Sequence, residues 1–446
     1  MYRGVEMNTG FRRFSVAILT AAAFFMALLS GSATAAGRAS GDREIMIQAF
    51  GWNSQSRGTP SKWYRLIGER AADLAELGVT MVWLPPVSRS VSPQGYLPGD
   101  YYDVGTAESP TFYGDQDQLV ACLVKLNQAG LKPIADIVIN HRCASHQDSG
   151  GVWNIYNFAS GKARWDAQMI CAGEYGGRGS RDSGDNFGPA PDIDHANSTV
   201  QADVVEWLKW LKKLGFSGWR YDFSRGYGPE YTALYNKATT PYFSVGEIWT
   251  NMSFNGSYLN PDQNAHRQVL CDWLDKAGDK ATVFDFTTKG ILQVAVNGEY
   301  WRLRDSQGKA SGLIGWWPAR AVTFLDNHDT GSQQNHWPFP SEKVMQGYAY
   351  ILSHPGTPCL FWEHVYDWKL RDPIRKLVDA RRKCGIRSTS KLEIVKAEQD
   401  LYAAIVDENL AVKLGRNDWN PGPAFELLAS GEQYAVWGKK TARNRR

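Results

Sequence analysis

The chain has 446 residues, 43% hydrophobic and 21% charged, which fits a soluble globular protein with a large core. Length alone suggests two or three domains, although α/β barrels run long as single units. Taking the three Arg and one Glu of residues 1–36 from 49 basic and 46 acidic residues leaves 46 against 45, a near-neutral balance that argues against a nucleic-acid partner.

Residues 1–36 have the layout of a secretory signal. Arg12-Arg13 precede an apolar run from Phe14 to Leu29, and Ala33-Thr34-Ala35 offers small residues for cleavage. The run is short for a bilayer span, so a membrane anchor is the poorer reading. The expected product is a secreted monomer, extracellular or periplasmic, with no stable membrane association. The six cysteines lack metal-ligand spacing, and no pairing follows from them.

From Glu44 one unit recurs: apolar strand, loop, amphipathic helix, Gly, next strand. Strands are expected at Glu44–Phe50, Val79–Leu84, Pro133–Ile139 and from Phe216 into Gly218–Asp222. Four more follow at Phe243–Ile248, Thr282–Phe286, Ala321–Leu325 and Pro358–Trp362. Val204, Trp207, Leu208 and Leu211 have helical spacing, with an Asn197 or Ser198 cap and Gly215 as stop. Eight apolar strands alternating with helices imply a parallel (β/α)8 TIM barrel over 42–141 and 196–386. The Gly-, Asp- and Ser-rich stretch 142–195 is too long for a βα loop and reads as an inserted loop-rich domain after strand 3. Short alternating runs at Leu392–Val395, Leu401–Val406, Leu410–Leu414 and Gln433–Trp437 imply a C-terminal antiparallel β-sheet domain over 387–438. The basic tail 439–446 reads as a solvated end.

In a parallel barrel the working residues sit at strand C-terminal ends. Those ends carry Asn140 and His141, then Arg220 and Asp222, then Glu247, then His328 and Asp329. Arg220 and Asp222 alone are equally well read as a structural ion pair; three carboxylates at one mouth point to chemistry. Paired carboxyls are what glycoside hydrolysis requires, one ionised and one protonated. Arg220 favours an ionised Asp222 as nucleophile, and the apolar run around Glu247 favours a proton donor. The two carboxyls are expected roughly 5–5.5 Å apart, the retaining geometry.

Four segments, Asp136–His141, Gly218–Gly226, Val245–Trp249 and Phe324–Asp329, resemble the signature regions of the α-amylase family of glycoside hydrolases, in the family's order. Asp285–Gly290, Gly315–Ala319 and Met345–Tyr350 are similar to its secreted plant-type branch. The resemblance implies an endo-acting, retaining enzyme on starch and malto-oligosaccharides, with an exo-acting, maltooligosaccharide-forming amylase as the alternative on the same site. It implies Asp222 as nucleophile, Glu247 as acid/base and Asp329 as transition-state stabiliser. Arg220, Arg225, His141 and His328 would contact the sugar, and Tyr96 would stack on its ring. Trp316 and Trp317 are either core or an exposed starch-binding shelf.

Asp182 and Asp192 lie amid Gly and Pro, a pattern that fits either a solvated acidic loop or hard-cation ligands. The resemblance favours the second. It implies one Ca²⁺ held by Asn140, Asp182, Asp192 and the carbonyls of Ala190 and Gly226. A second ion near Asn186 would draw on Asp185 or Glu174. Tyr221 stands where relatives carry Phe or Leu, and Trp362-Glu363-His364 replaces a Tyr-Asp-His pattern. The stretch Gly105–Gly114 is longer than the resemblance implies.

Overall fold

The computed structural model describes residues 41–57 and 61–440; the expected signal segment 1–36 and the tail from 441 lie outside the described residues. Eight parallel strands close a barrel in chain order. They are β1 (Met46–Gln48), β2 (Met81–Trp83), β3 (Lys132–Ile137), β4 (Gly218–Tyr221), β5 (Ser244–Gly246), β6 (Thr282–Phe284), β7 (Ala321–Thr323) and β8 (Thr357–Phe361), and β8 pairs with β1. Except at β8, each paired segment is shorter than the apolar run that signals it. Ile45, Ala49 and Phe50 flank the β1 ladder and are equally buried, because the loops at the barrel ends cover them. Burial therefore extends past the hydrogen-bonded ladder, and hydrophobicity alone overstates strand length.

The helices are α1 (Trp63–Glu69), α2 (Ala71–Leu77), α3 (Gln116–Gln128), α4 (Ser198–Leu214), α5 (Pro229–Thr239), α6 (Asn264–Ala277), α7 (Phe286–Ala295), α8 (Val344–Ser353) and α9 (Arg371–Lys383). In α4 the buried stripe is Val200, Val204, Trp207, Leu208 and Leu211, at the spacing of a single helical face. Asn197 caps it by accepting the Thr199 N–H, and Gly215 closes it at φ 122°, a backbone angle that excludes most side chains.

After β3 the chain leaves the barrel and returns at α4. Its only regular ladder is a short ribbon, His146–Gln147 with Trp153–Ile155. Its centre is Arg142, fully buried, with its guanidinium carbon 4.4–5.1 Å from the ring centroids of Tyr101, Tyr156, Phe158 and Trp165. Arg142 Nε and Nη1 donate to the Gly99 and Ala163 carbonyls, so the cation replaces an aliphatic core for this segment. Its anchor back to the barrel is a bridge between His141 and Asp192.

The C-terminal sheet has five antiparallel strands: β9 (Leu392–Ala397), β10 (Tyr402–Val406), β11 (Leu410–Leu414), β12 (Phe425–Gly431) and β13 (Tyr434–Lys439), ordered β9-β10-β11-β13-β12. The sequence foresaw four of them. The fifth, β12, is an edge strand, largely exposed, with a bulge between Leu427 and Ala429 that breaks the alternation a strand needs to be visible. All six cysteines are free thiols.

Candidate active site

The site is built on the end of β4. Trp219 Nε1 donates to Thr239 Oγ1 at 3.0 Å and Tyr221 OH to Asn236 Oδ1 at 3.2 Å, both on α5. The alternate side chains, Arg220 and Asp222, therefore face the barrel interior. Arg220 is fully buried and meets three carboxyls. Its Nη1 donates to Asp136 Oδ1 at 2.9 Å and to Asp222 Oδ1 at 2.6 Å, and its Nη2 lies 2.9 Å from Glu247 Oε1. This third contact lies off the N–H direction, so it is an ion pair without a hydrogen bond. Asp136 arrives by register, paired with Arg220 across the β3–β4 ladder. Glu247 follows directly after β5. Phe223, next after Asp222, is held at φ 41°, and that turn aims its N–H at Glu247 Oε2, 3.1 Å away. A non-glycine residue in this region costs on the order of 1–3 kcal/mol, strain that here aligns the second carboxyl.

One guanidinium shared by three buried acids cannot neutralise all of them. Burial drives the Asp222 carboxyl well above its ordinary value, Glu247 and Asp136 add to the push, and Arg220 opposes it. This corrects the expectation that Arg220 alone would hold Asp222 down: its charge is divided among several partners. Asp136 is raised by burial against the same opposing Arg220. Asp329 is pushed up to about 7, by burial and then by Glu247. Asp136, Asp222 and Asp329 are thus all raised by their shared burial and mutual charge.

The cleft above them is about 500 Å³, lined by Asp222, Glu247 and Asp329 with aromatic walls from Trp52, Tyr96 and Trp249. Tyr96 turns its hydroxyl away, donating to Asp136 Oδ2 at 2.9 Å, so its ring is what the cleft presents. Tyr96 stacks on His328 at 4.9 Å. His328 Nε2 lies 3.3 Å from Asp329 Oδ2. Burial lowers His328 well below 6.5, with Arg220 adding, so the ring is neutral. His141 is lowered to about 4 by burial. It bonds the Tyr96 carbonyl at 2.8 Å and stacks at 3.7 Å on Phe187, which forms the cleft wall in front of it. Arg225 lines the cleft over the Phe223 ring and pairs with Asp185 at 3.4 Å.

The sequence pattern described as the α-amylase catalytic domain matches residues 64–154, and that of the α-amylase C-terminal β-sheet domain matches 383–438. A probable α-amylase 2 of Arabidopsis thaliana is 47% identical over 401 residues, covering 89% of this chain and 94% of its own. The chain belongs to the α-amylase family. It is therefore a glycoside hydrolase, with the family's closed barrel and C-terminal sheet. A glucan 1,4-α-maltotetraohydrolase of Stutzerimonas stutzeri is 31% identical, over 93% of this chain and 77% of its own. Among solved folds, the α-amylase from Geobacillus thermoleovorans complexed with acarbose superposes with a TM-score of 0.61 at 14% identity, covering 91% of this chain and all of that one.

Of the expected metal ligands, Asn140, Asp192 and Gly226 lie against one another. Asn140 Nδ2 donates to Asp192 Oδ1 at 2.7 Å, while Asn140 Oδ1 is buried without a partner. A Cβ on Gly226 would lie 1.9 Å from that same Oδ1. Asp182 caps the turn to Gly184, whose backbone packs against Gly226, and Ala190 is buried two residues before Asp192. Burial, with Glu174 and Asp182, pushes Asp192 up to about 8. Among the described residues no three His, Cys, Asp or Glu side chains are grouped for a metal; this set has two carboxylates, one amide and two carbonyls.

Trp316 and Trp317 lie apart from the cleft wall, just before β7, half-buried. Arg267 covers one face of Trp316 at 3.9 Å, and Arg320 lies 5.3 Å from Trp317. Sequence reasoning passed over Asp136 as a site residue, though a charge inside an apolar strand was the signal for it. Trp52, Phe187 and Trp249 had no comparable signal, since aromatics are abundant along the whole chain.

Proposed function

We propose that the chain is a secreted α-amylase that cuts internal α-1,4 links of starch and malto-oligosaccharides with retention at the anomeric carbon. The observation that carries this reading is the sharing of Arg220 by Asp222 and Glu247 at the floor of one cleft. Asp222 Oδ attacks the anomeric carbon as Glu247 gives its proton to the leaving glycosidic oxygen; the C–O bond of the polymer breaks and a glycosyl ester on Asp222 forms. Glu247, now ionised, takes a proton from water, whose oxygen displaces Asp222 from the same carbon. Asp329 stabilises the positive charge on the ring in both steps and holds sugar hydroxyls. Tyr96 and Trp52 offer flat faces to the sugar.

The orphaned Asn140 oxygen beside Asp192 and the Gly226 backbone fits a hard cation. Asn140, Asp182, Asp192 and the Ala190 and Gly226 carbonyls would hold Ca²⁺, whose charge would fasten the inserted segment to the loop that follows Asp222. Export rests on residues 1–36, and the half-buried pair Trp316–Trp317 is the candidate for a separate starch-chain contact.

The maltotetraohydrolase similarity supports a second reading, an exo-acting amylase on the same residues. A product time course on amylose separates the two. Mixed product lengths in the first minutes, with the α-anomer released, are expected; one dominant length from the start favours the exo reading, and β-anomer release overturns the retaining mechanism.

A further inference from the structure

Gln48 closes β1, is fully buried, and forms no part of the cleft wall. Its Nε2 lies 2.9 Å from His328 Nδ1, and its Oε1 has no partner. An amide NH2 group only donates, so Nδ1 must accept. In a neutral imidazole the one ring proton then sits on Nε2, whose nitrogen is 3.3 Å from Asp329 Oδ2, a close contact without a formed hydrogen bond. The ring plane itself is already fixed: Tyr96 stacks at 4.9 Å, Phe50 packs at 5.2 Å and Trp83 meets it edge-on at 5.9 Å. What these walls leave free is which nitrogen carries the hydrogen.

The opposite amide orientation would draw the proton to Nδ1. The Nε2 lone pair would then lie beside the Asp329 carboxylate, one acceptor near another, which disfavours an ionised Asp329. We propose that Gln48 is a positioning residue that selects the Nε2–H tautomer of His328 and thereby favours the ionised form of Asp329 beside it. The importance of an ionised Asp329 rests on the function proposed above; the tautomer does not.

The test is ring ¹⁵N NMR of histidine-labelled enzyme, with the His328 signals assigned by their loss in His328→Asn. Nδ1 is expected to resonate as a bare nitrogen and Nε2 as a protonated one. Gln48→Glu, once ionised, can only accept, so at a pH where it is ionised it should move the proton to Nδ1. It should also lower kcat on a soluble maltooligosaccharide about tenfold, the effect of about one pKa unit on Asp329, with KM within about twofold. Gln48→Met, unable to donate, should lose the single tautomer and fall between. An Nδ1–H wild type overturns the proposal, as does a Gln48→Glu enzyme that keeps both the Nε2 proton and its kcat. If the glutamate variant fails to fold, an unchanged His328 spectrum in Gln48→Met overturns it equally. A wild type with the expected tautomer but no glucan hydrolysis would remove the functional reading and leave the tautomer standing.

Discussion

Asp222 works against its surroundings. Burial and two neighbouring acids favour its protonated form, while a nucleophile must be ionised, and only the 2.6 Å bond to Arg220 opposes them. Because its pKa is raised, activity that needs the carboxylate is lost as pH falls through a value above 3.8. The acid limb of kcat/KM should therefore lie clearly above that of an ordinary aspartate; a limb at or below it would contradict the crowded-acid picture. Asp222→Asn and Glu247→Gln should each lower turnover roughly 10³–10⁵-fold while starch binding persists, and an active variant would remove the assignment. These carboxyls were legible in the sequence because each is a charge at the end of an apolar run. Gln48 was not: an uncharged amide in a strand carries no signal until the fold brings His328 to within 2.9 Å of it.

At the scale of elements, the barrel was legible because its period is set by burial on both strand faces and by helix stops such as Gly78, Gly130 and Gly215, all at positive φ. Strand ends were less legible, because the loops that bury Ile45 and Phe50 are as dry as the ladder between them. The edge strand β12 was invisible, since exposure on both faces erases alternation. The joint between β3, the insertion and the β4 loop depends on one missing side chain. Gly226→Ala would put a methyl 1.9 Å from Asn140 Oδ1, so Asn140 must move and release Asp192. A loss of about 1–3 kcal/mol is expected, as for other overpacked positions. If Ca²⁺ sits at that oxygen, excess chelator should lower the melting temperature of the wild type and lower that of Gly226→Ala by much less. A wild-type melting curve unmoved by chelator would remove the calcium proposal, whereas equal shifts in both proteins would put the ion elsewhere.

The barrel and the C-terminal sheet meet at a histidine that neither chemistry nor sequence motif singled out. His354 directly follows α8, takes Tyr402 OH of β10 on Nε2 at 2.7 Å, and bonds the Tyr350 carbonyl through Nδ1 at 2.8 Å. Arg381 of α9 donates to the carbonyls of Leu352, His354 and Gly356, so a cation stands beside the ring. Burial lowers the imidazole from 6.5 to about 3; the Tyr350 bond opposes it in part, and Arg381 adds to it. The unfolded chain thus takes a proton here that the folded chain refuses. Stability is intact above pH 6.5 and falls as pH drops toward 3, by about 2 kcal/mol at pH 5 from this group. His354→Gln keeps an amide donor and acceptor in the joint but cannot be charged. Urea unfolding at pH 7 and pH 5 should show the wild type losing about 2 kcal/mol more than this variant between the two. Equal losses would mean that acid opens the molecule somewhere other than the junction of its two sheets.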